Sequence, residues 1–343
     1  MTSATPSTLT FTPFDISKCL PQTQSPLFSS IPPEIRNRIF SLALAEYEDL
    51  SAAYPETTCY RRPDYTAPRR TSTTLLRTCQ LIYREAWFRP FTSATATLWL
   101  GAEDRRPSHV TTIDALAAAG ALVSRVHGEP VQIDGVHVFA QLYKLEDPQQ
   151  LNRVFDAVRH APPRTFTITI RHTDWWWWES DKPLAIKLRW GDKCEFPSSV
   201  QVLRIELESL ERKKGQVDEM ARKMREQWRF VRKDGTLLAA TGSDDVNRWS
   251  GSSTWNGERW LRDETRPDVL DYYVRTVVFR PATSVCNPTF VDSVASLPAL
   301  LCAGQPIGSN GGAAKVSLLN RVGVPGVLRL KPSGRCVQPG SSG

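Results

Sequence analysis

The fold of this chain is constrained most by the alternation of short apolar runs with amphipathic stretches between residues 112 and 280. Runs rich in β-branched residues, such as TFTITIR at 165–171, predict strands, while apolar residues at helical spacing predict helices. In chain order these patterns predict a helix over 112–126, a strand over 136–142, a helix over 148–160, and strands over 165–171, 184–190 and 200–208. Alternating strands and helices favour a mixed β-sheet, so the sequence predicts an α+β fold.

The rest of this region predicts a helix, two tight turns and a last strand. Residues 209–227 are highly charged and are interpreted as an exposed helix despite Gly215. The KDG of 233–235 and the NG of 256–257 have the composition of hairpin turns. Residues 269–280, VLDYYVRTVVFR, predict the final strand.

Composition divides the chain into four parts. Residues 1–26 are rich in Ser, Thr and Pro, and residues 281–343 are rich in Gly, Ser and Pro with one aromatic residue. Such segments bury little apolar surface, so both ends are predicted to be disordered. Between them lie a helical region over 27–100, ending in the strand pattern ATATLWL, and a mixed α/β domain over 101–280.

The helical region opens with IPPEIRNRIF at 31–40, which fixes where its first helix begins. Pro32 and Pro33 lack a backbone donor and are tolerated only in the first turn of a helix. Glu34 places a negative charge at the positive end of the helix dipole. The sequence therefore predicts a helix that starts at this proline pair.

This helix carries an apolar stripe, because Ile35, Ile39 and Leu42 recur at i, i+4 and i+7, Phe40 and Ala43 widen the stripe, and polar residues fall largely on the other side. Two interpretations remain open. The stripe packs into the protein's own core, or part of it, led by Ile31, Pro32 and Ile35, faces another protein.

Residues 73–90, TTLLRTCQLIYREAWFRP, predict a second helix that stops at Pro90. Its apolar face comprises Leu75, Cys79, Ile82 and Ala86. Between the two helices, residues 46–74 form a polar loop with the arginine pairs 61–62 and 69–70. These arginines are interpreted as solvated, with contact to an acidic partner as the alternative.

IPPEIRNRIF and LLRTCQLIYREAWF together resemble the F-box-like N-terminus of a set of fungal proteins of unknown function. The resemblance extends over roughly residues 27–281, through RHTDWWWWES, FPSSVQVLRIELESLERKK and RWSGSSTWNGERW. In true F-box proteins this helix docks on the Skp-type adaptor of a cullin-RING ubiquitin ligase, and a separate region holds the substrate. The resemblance implies that the partner-binding residues are Ile31, Pro32, Pro33, Glu34, Ile35, Ile39 and Phe40.

Four consecutive tryptophans, Trp175 to Trp178, are the most unusual local feature. In an extended run, alternate rings point to opposite faces, which predicts two rings in the core and two outside. The run is interpreted first as packing between layers. In the alternative, an outward pair forms a flat surface for a client, so the candidate client-binding residues are Trp175, Trp176, Trp177 and Trp178.

The charge distribution argues against a nucleic-acid-binding domain. The formal net charge is +7, yet residues 281–343 alone carry five basic residues against one acidic residue. The folded part is therefore nearly balanced. The basic stretch at 222–233 follows a run of acidic residues and is interpreted as half of a mixed-charge helix and strand.

No pattern in the sequence predicts catalysis, a metal or a cofactor. The seven cysteines are scattered without C-x-x-C spacing, and the five histidines form no metal-ligand motif. The longest apolar run is far shorter than the ~20 residues of a membrane span, and the N-terminus lacks the features of a secretory signal. We expect a protein of the cytoplasm or nucleus, not bound to membrane.

Three functional hypotheses follow. The first, which the resemblance implies, is a non-enzymatic interaction protein, an F-box-like adaptor that holds a client for ubiquitination. The second is a binding module for a peptide, glycan or nucleic acid that uses the tryptophan-rich surface and keeps the N-terminal helices only as structure. The third is an enzyme built on Asp174 and Glu179 with His172 nearby, which requires both carboxylates to face one cleft.

Overall fold

The N-terminal helices pack around a small apolar cluster of their own. The computed structural model describes residues 20–186, 193–242 and 245–282 of the chain. Helix α1 (Pro26–Ser29) is followed by α2 (Pro33–Ala43), which begins at the predicted proline pair. The cluster consists of Phe40, Leu44, Ile82 and Ala86.

The second predicted helix is broken into three pieces. A 3-10 turn over Thr74–Arg77 precedes α3 (Gln80–Ala86), and α4 (Arg89–Thr92) follows. The prediction that Pro90 ends the helix was wrong. Pro90 lies in the first turn of α4, where its missing N–H has no helical partner to lose.

Residues 46–74 are held together by a small sheet and do not form an open loop. Strand β1 (Glu46–Glu48) pairs antiparallel with β2 (Arg69–Thr71). The carboxylate of Glu48, in β1, accepts hydrogen bonds from Thr66, which lies between the two strands in sequence: from its amide at 2.8 Å and from its hydroxyl at 2.7 Å. These bonds close the segment into a defined excursion on the surface of the main sheet.

The two arginine pairs of this excursion have different environments. Arg69 and Arg70 are exposed, as predicted. The prediction for Arg62 was wrong, because its side chain is only 10% exposed and its Nη2 lies 3.4 Å from Glu206 and 3.5 Å from Glu208. Both glutamates belong to the main sheet, so Arg62 ties the excursion to it.

A mixed nine-stranded sheet lies at the centre of the described chain. In chain order its strands are β3 (Thr95–Leu100), β4 (Ile133–Ala140), β5 (Pro163–Ile170), β6 (Glu195–Phe196), β7 (Val202–Leu210), β8 (Arg229–Arg232), β9 (Leu237–Ala240), β10 (Asp245–Ser252) and β13 (Val269–Pro281). Strands β11 (Thr254–Trp255) and β12 (Glu258–Arg259), which come between β10 and β13, form a separate hairpin.

Strands β3, β4, β5 and β7 are parallel neighbours in that order. Strand β13 runs antiparallel to β7 and pairs on its other side with β10 and β9. Strand β9 pairs antiparallel with β8, and β8 pairs parallel with β6. The α+β class and the mixed sheet are therefore as predicted, and β3, from the predicted helical region, is the outermost parallel strand.

Helices α5 (Ile113–His127), α6 (Leu142–Leu145) and α7 (Pro148–Ala157) connect the parallel strands. The ends of α5 follow from its sequence, because the Thr112 hydroxyl accepts a hydrogen bond from the Ala115 amide and Gly128 adopts a left-handed φ of 91° at the C-terminal end. Both helices predicted in this region are confirmed.

The predicted helix over 209–227 and the predicted strand over 184–190 differ from the structure. Helix α8 (Lys214–Gln227) starts later than predicted, because β7 continues to Leu210. It is also not simply exposed, since Val217, Ala221 and Met224 are buried at i, i+4 and i+7. The strand predicted over 184–190 is absent at 184–186, and its remainder lies outside the described residues.

The two predicted turns and the last strand are confirmed. The turn at 233–235 joins β8 to β9 with Gly235 at φ 80°, and the turn at 256–257 joins β11 to β12 with φ values of 51° and 83°. Strand β13 covers the predicted 269–280. Most of both ends predicted to be disordered, residues 1–19 and 283–343, lies outside the described residues.

Candidate functional site

Three polar residues of helix α2, Arg36, Asn37 and Ser41, bond to the protein on the side where Phe40 is buried. The Arg36 guanidinium donates to the Glu85 carboxylate, with Nε 3.2 Å from Oε2. Arg89 donates to the Ser41 hydroxyl at 2.9 Å and to the Asn37 side-chain oxygen at 2.8 Å. These bonds hold α2 against α3 and α4 beside the buried Phe40.

The apolar side of α2 faces solvent. Ile35 is 53% exposed, Ile39 38% and Leu42 64%. We call these three residues the α2 stripe. An amphipathic helix that serves its own core normally buries such a stripe, so α2 has the opposite orientation.

The remaining residues predicted to bind a partner fall into two groups. Pro32, Pro33 and Glu34 are exposed at the start of α2, and Ile31 is half-buried. Phe40 is 0% exposed in the N-terminal apolar cluster, so its assignment to the partner surface was wrong. Phe40 anchors α2 to the protein and leaves the opposite side free.

The tryptophan run does place two rings inside and two outside, but not in the predicted order. Trp175 and Trp178 are 3% and 4% exposed, whereas Trp176 and Trp177 are 41% and 66% exposed. The run is not extended, because Trp177 has a left-handed φ of 56° and Trp178 begins a 3-10 turn. Trp175 and Trp178 are therefore core residues and do not belong to a client surface.

The inner rings are held by specific contacts. The Trp175 indole N–H donates to the Glu208 carbonyl at 2.8 Å. The Trp178 ring lies 4.5 Å from that of Trp260, and the Arg105 guanidinium sits 5.0 Å above it.

The outer rings form a small exposed patch. Trp176 and Trp177 have ring centroids 6.4 Å apart, and Tyr143 lies 6.1 Å from Trp176. The Trp176 indole N–H donates to Glu146 at 3.2 Å, which fixes the ring. We call Tyr143, Trp176 and Trp177 the outer aromatic patch.

The residues of the enzyme hypothesis have other roles. Asp174 is completely buried and accepts two hydrogen bonds from the Arg171 guanidinium, at 2.7 and 2.9 Å. Glu179 is half-exposed and lies 3.6 Å from Arg105. Burial lowers the pKa of His172 to about 3, so its ring is neutral at physiological pH.

Sequence reasoning missed a cavity of about 180 Å³ next to Arg171 and His172, lined by both polar and apolar groups. It lies between the 46–74 excursion and the sheet, and we call it the arginine cavity. Its lining includes Arg61, Arg62, His172, Glu208, Trp249 and Trp255. These residues come from separate segments of the chain. In the sequence, only the adjacent Arg61 and Arg62 stood out as a possible binding feature.

Comparison with protein families, with curated proteins and with solved structures finds no match to this chain. Within residues 20–186, 193–242 and 245–282 there is no cluster of His, Cys, Asp and Glu suited to hold a metal ion. None of the helices in the same ranges combines the length and apolar character that a membrane span needs.

Proposed function

We propose that this chain is a non-enzymatic adaptor that docks through the α2 stripe on a Skp-type subunit of a cullin-RING ubiquitin ligase. The observation that carries the proposal is the orientation of α2, with polar residues bonded to its own protein and Ile35, Ile39 and Leu42 in solvent. The resemblance of IPPEIRNRIF to an F-box docking helix supports the choice of partner.

The stripe is large enough to matter for binding. Its exposed fractions add up to about one and a half whole side chains. Complete burial of an Ile or Leu side chain contributes about 1.5 to 3 kcal/mol, so covering the stripe contributes about 2 to 5 kcal/mol. Because about 1.4 kcal/mol is a tenfold change in affinity, the stripe accounts for tens- to thousands-fold in the dissociation constant.

The exposed prolines complete the docking surface. Pro32 and Pro33 precede the stripe and have no backbone N–H to desolvate, so a partner can cover them without loss of a hydrogen bond. The start of α2 is further held by Arg36, which donates to the Ile31 carbonyl at 2.9 Å. A surface held in this way loses little conformational freedom when it binds.

The outer aromatic patch is the region that we assign to a client protein. Trp176 and Trp177 are exposed, and aromatic residues of this kind dominate protein interaction hot spots. The same patch supports the second candidate function, a binding module for a peptide or glycan, in which α2 has only a structural role.

The test is calorimetric titration of the full-length chain with the purified Skp-type subunit of the same organism. The variant is Ile35→Asp/Leu42→Asp, and the matched control is Leu261→Asp, because Leu261 is 65% exposed on the α/β domain, against 64% for Leu42. We expect the stripe variant to bind at least about 100-fold more weakly and the control to bind as wild type does.

All three sites are exposed, so each protein should unfold at the wild-type urea midpoint within error. Absence of binding by folded wild type would refute the ligase adaptor. Equal weakening by the control would refute the assignment of docking to the stripe. If the wild type fails to bind the subunit, a Trp176→Ala/Trp177→Ala variant then tests the second candidate function in peptide and glycan binding assays.

A further inference from the structure

The arginine cavity contains hydrogen-bond donors that the protein itself does not satisfy. Nε and Nη1 of Arg62, and Nε of Arg61, are buried and have no hydrogen-bond partner among the described residues. A buried donor without an acceptor costs free energy, and the cost is larger for a charged group. Both arginines line the cavity, so a ligand in it can supply the missing acceptors.

The three guanidinium groups around the cavity differ in how well they are paired. Arg171 makes two short bonds to Asp174, and Arg61 lies 2.9 Å from Glu56. Among the described residues, the Arg62 guanidinium lies 5.7 Å over the Phe139 ring, and its polar contacts are the long ones of its Nη2 to two glutamates, at 3.4 and 3.5 Å. Arg62 is therefore the group best placed to bind an external acceptor.

Two acids face Arg62, Glu206 and Glu208, and of these Glu208 lines the cavity. Its carboxylate accepts a hydrogen bond from the Trp249 indole at 3.2 Å, and burial raises its pKa. A raised pKa means that Glu208 takes up a proton more readily when another negative charge enters the cavity. The Glu208 carboxylate therefore repels a bound anion while it is charged, but the anion can still bind because Glu208 can become neutral.

Part of the cavity lining is aromatic. The Trp249 ring stacks on that of Tyr272, with centroids 4.0 Å apart and planes at 14°. Trp255 also lines the cavity. His172 is 2% exposed and neither ring nitrogen has a partner in the described part of the chain, so it adds one donor and one acceptor.

We infer that the arginine cavity binds a small organic carboxylate. The carboxylate lies against Arg62 and accepts hydrogen bonds from its Nε and Nη1, and the apolar body of the ligand contacts Trp249 and Trp255. A carboxylate offers about four lone pairs and no donor, which matches the surplus of donors on the arginines. A cavity of about 180 Å³ limits the ligand to a few carbon atoms or one ring.

The probe is phenylacetate, with phenylacetamide as its neutral counterpart, titrated calorimetrically into the full-length chain. For a ligand of this size we expect a dissociation constant of about 1 mM or tighter. Phenylacetamide should bind at least about tenfold more weakly, because charge-assisted hydrogen bonds are roughly twice as strong as neutral ones. Arg62→Met should weaken phenylacetate binding at least tenfold.

Arg62→Met also leaves Glu206 and Glu208 without their cation, so its fold is checked by circular dichroism. Glu208→Gln keeps the shape and gives an independent readout. It removes the opposing charge, so phenylacetate should bind more tightly. Weaker binding of phenylacetate by this variant would mean that the Glu208 charge does not oppose the ligand, and would overturn the proposal.

Three further results would overturn it: no phenylacetate binding at about 10 mM, equal binding of phenylacetate and phenylacetamide, or unchanged binding in folded Arg62→Met. The cavity is formed without any residue of the α2 stripe. Ile35→Asp/Leu42→Asp should therefore bind phenylacetate normally, which separates this proposal from the adaptor function.

Discussion

Replacing Trp178 with alanine should destabilise the fold far more than the same change at its neighbour Trp177. Trp178 is 4% exposed, and its ring contacts Trp260 at 4.5 Å and Trp255 at 5.8 Å. Removing a buried Trp side chain costs about 3 to 5 kcal/mol, and the loss of the Arg105 cation–π contact adds about 0.5 to 1 kcal/mol. We therefore expect a loss of about 4 to 6 kcal/mol in the free energy of unfolding.

Trp177 is 66% exposed, and its replacement should change stability by no more than about 0.5 kcal/mol. Urea unfolding followed by far-UV circular dichroism measures both variants without depending on tryptophan fluorescence. The two substitutions are chemically identical and adjacent in sequence, so each is the control for the other. Equal losses at the two positions would refute the inside and outside assignment of the rings.

Three other predictions concern buried or strained groups. Burial lowers the pKa of both His137 and His172 to about 3, below the unfolded value of 6.5, so the stability present above pH 6.5 falls as the pH drops toward 3. At pH 5 each neutral histidine should lower the free energy of unfolding by about 2 kcal/mol. NMR should show both rings still neutral at that pH, and protonation of either ring above pH 5 would contradict this. Arg171→Met should lower the free energy of unfolding by about 3 to 5 kcal/mol, because it leaves Asp174 buried without its cation. Adding Asp174→Asn should restore part of that free energy, as measured by urea unfolding. Gly235→Ala should cost about 1 kcal/mol in the same assay because residue 235 has a φ of 80°; an unchanged urea midpoint would show that the turn relaxes.

Features of the fold that depend on local sequence were predictable. Helix α5 is set by Thr112 at its start and Gly128 at its end, and the hairpin of β8 and β9 is set by the turn at 233–235. In each case the deciding interactions lie within a few residues. The strand and helix patterns were sufficient for the α+β class for the same reason.

The orientation of α2 was not predictable from its own sequence. Periodicity shows that Ile35, Ile39 and Leu42 share a face, but the face that is buried depends on Glu85 and Arg89, which bond to the polar side of α2 and lie about fifty residues later. A stripe for a partner and a stripe for the core have the same pattern in sequence.

The arginine cavity and the tryptophan order were missed for related reasons. Arg62 meets Glu206 across 144 positions of sequence, which no local pattern records. Alternation of the tryptophans assumed an extended backbone, and the left-handed φ of Trp177 reverses the chain within the run. Left-handed φ values are rare for residues other than glycine, so the sequence favoured an extended backbone for the four tryptophans, which was wrong.

Hydrogen–deuterium exchange of the full-length chain, free and saturated with the Skp-type subunit, tests the proposed docking role of α2 most directly. If the subunit covers the stripe, the amides of α2 (Pro33–Ala43) should exchange more slowly in the complex, while those of the central strands β5 and β7 stay unchanged. Slower exchange confined to another surface, such as the outer aromatic patch, with no change in α2, would contradict the proposed docking site.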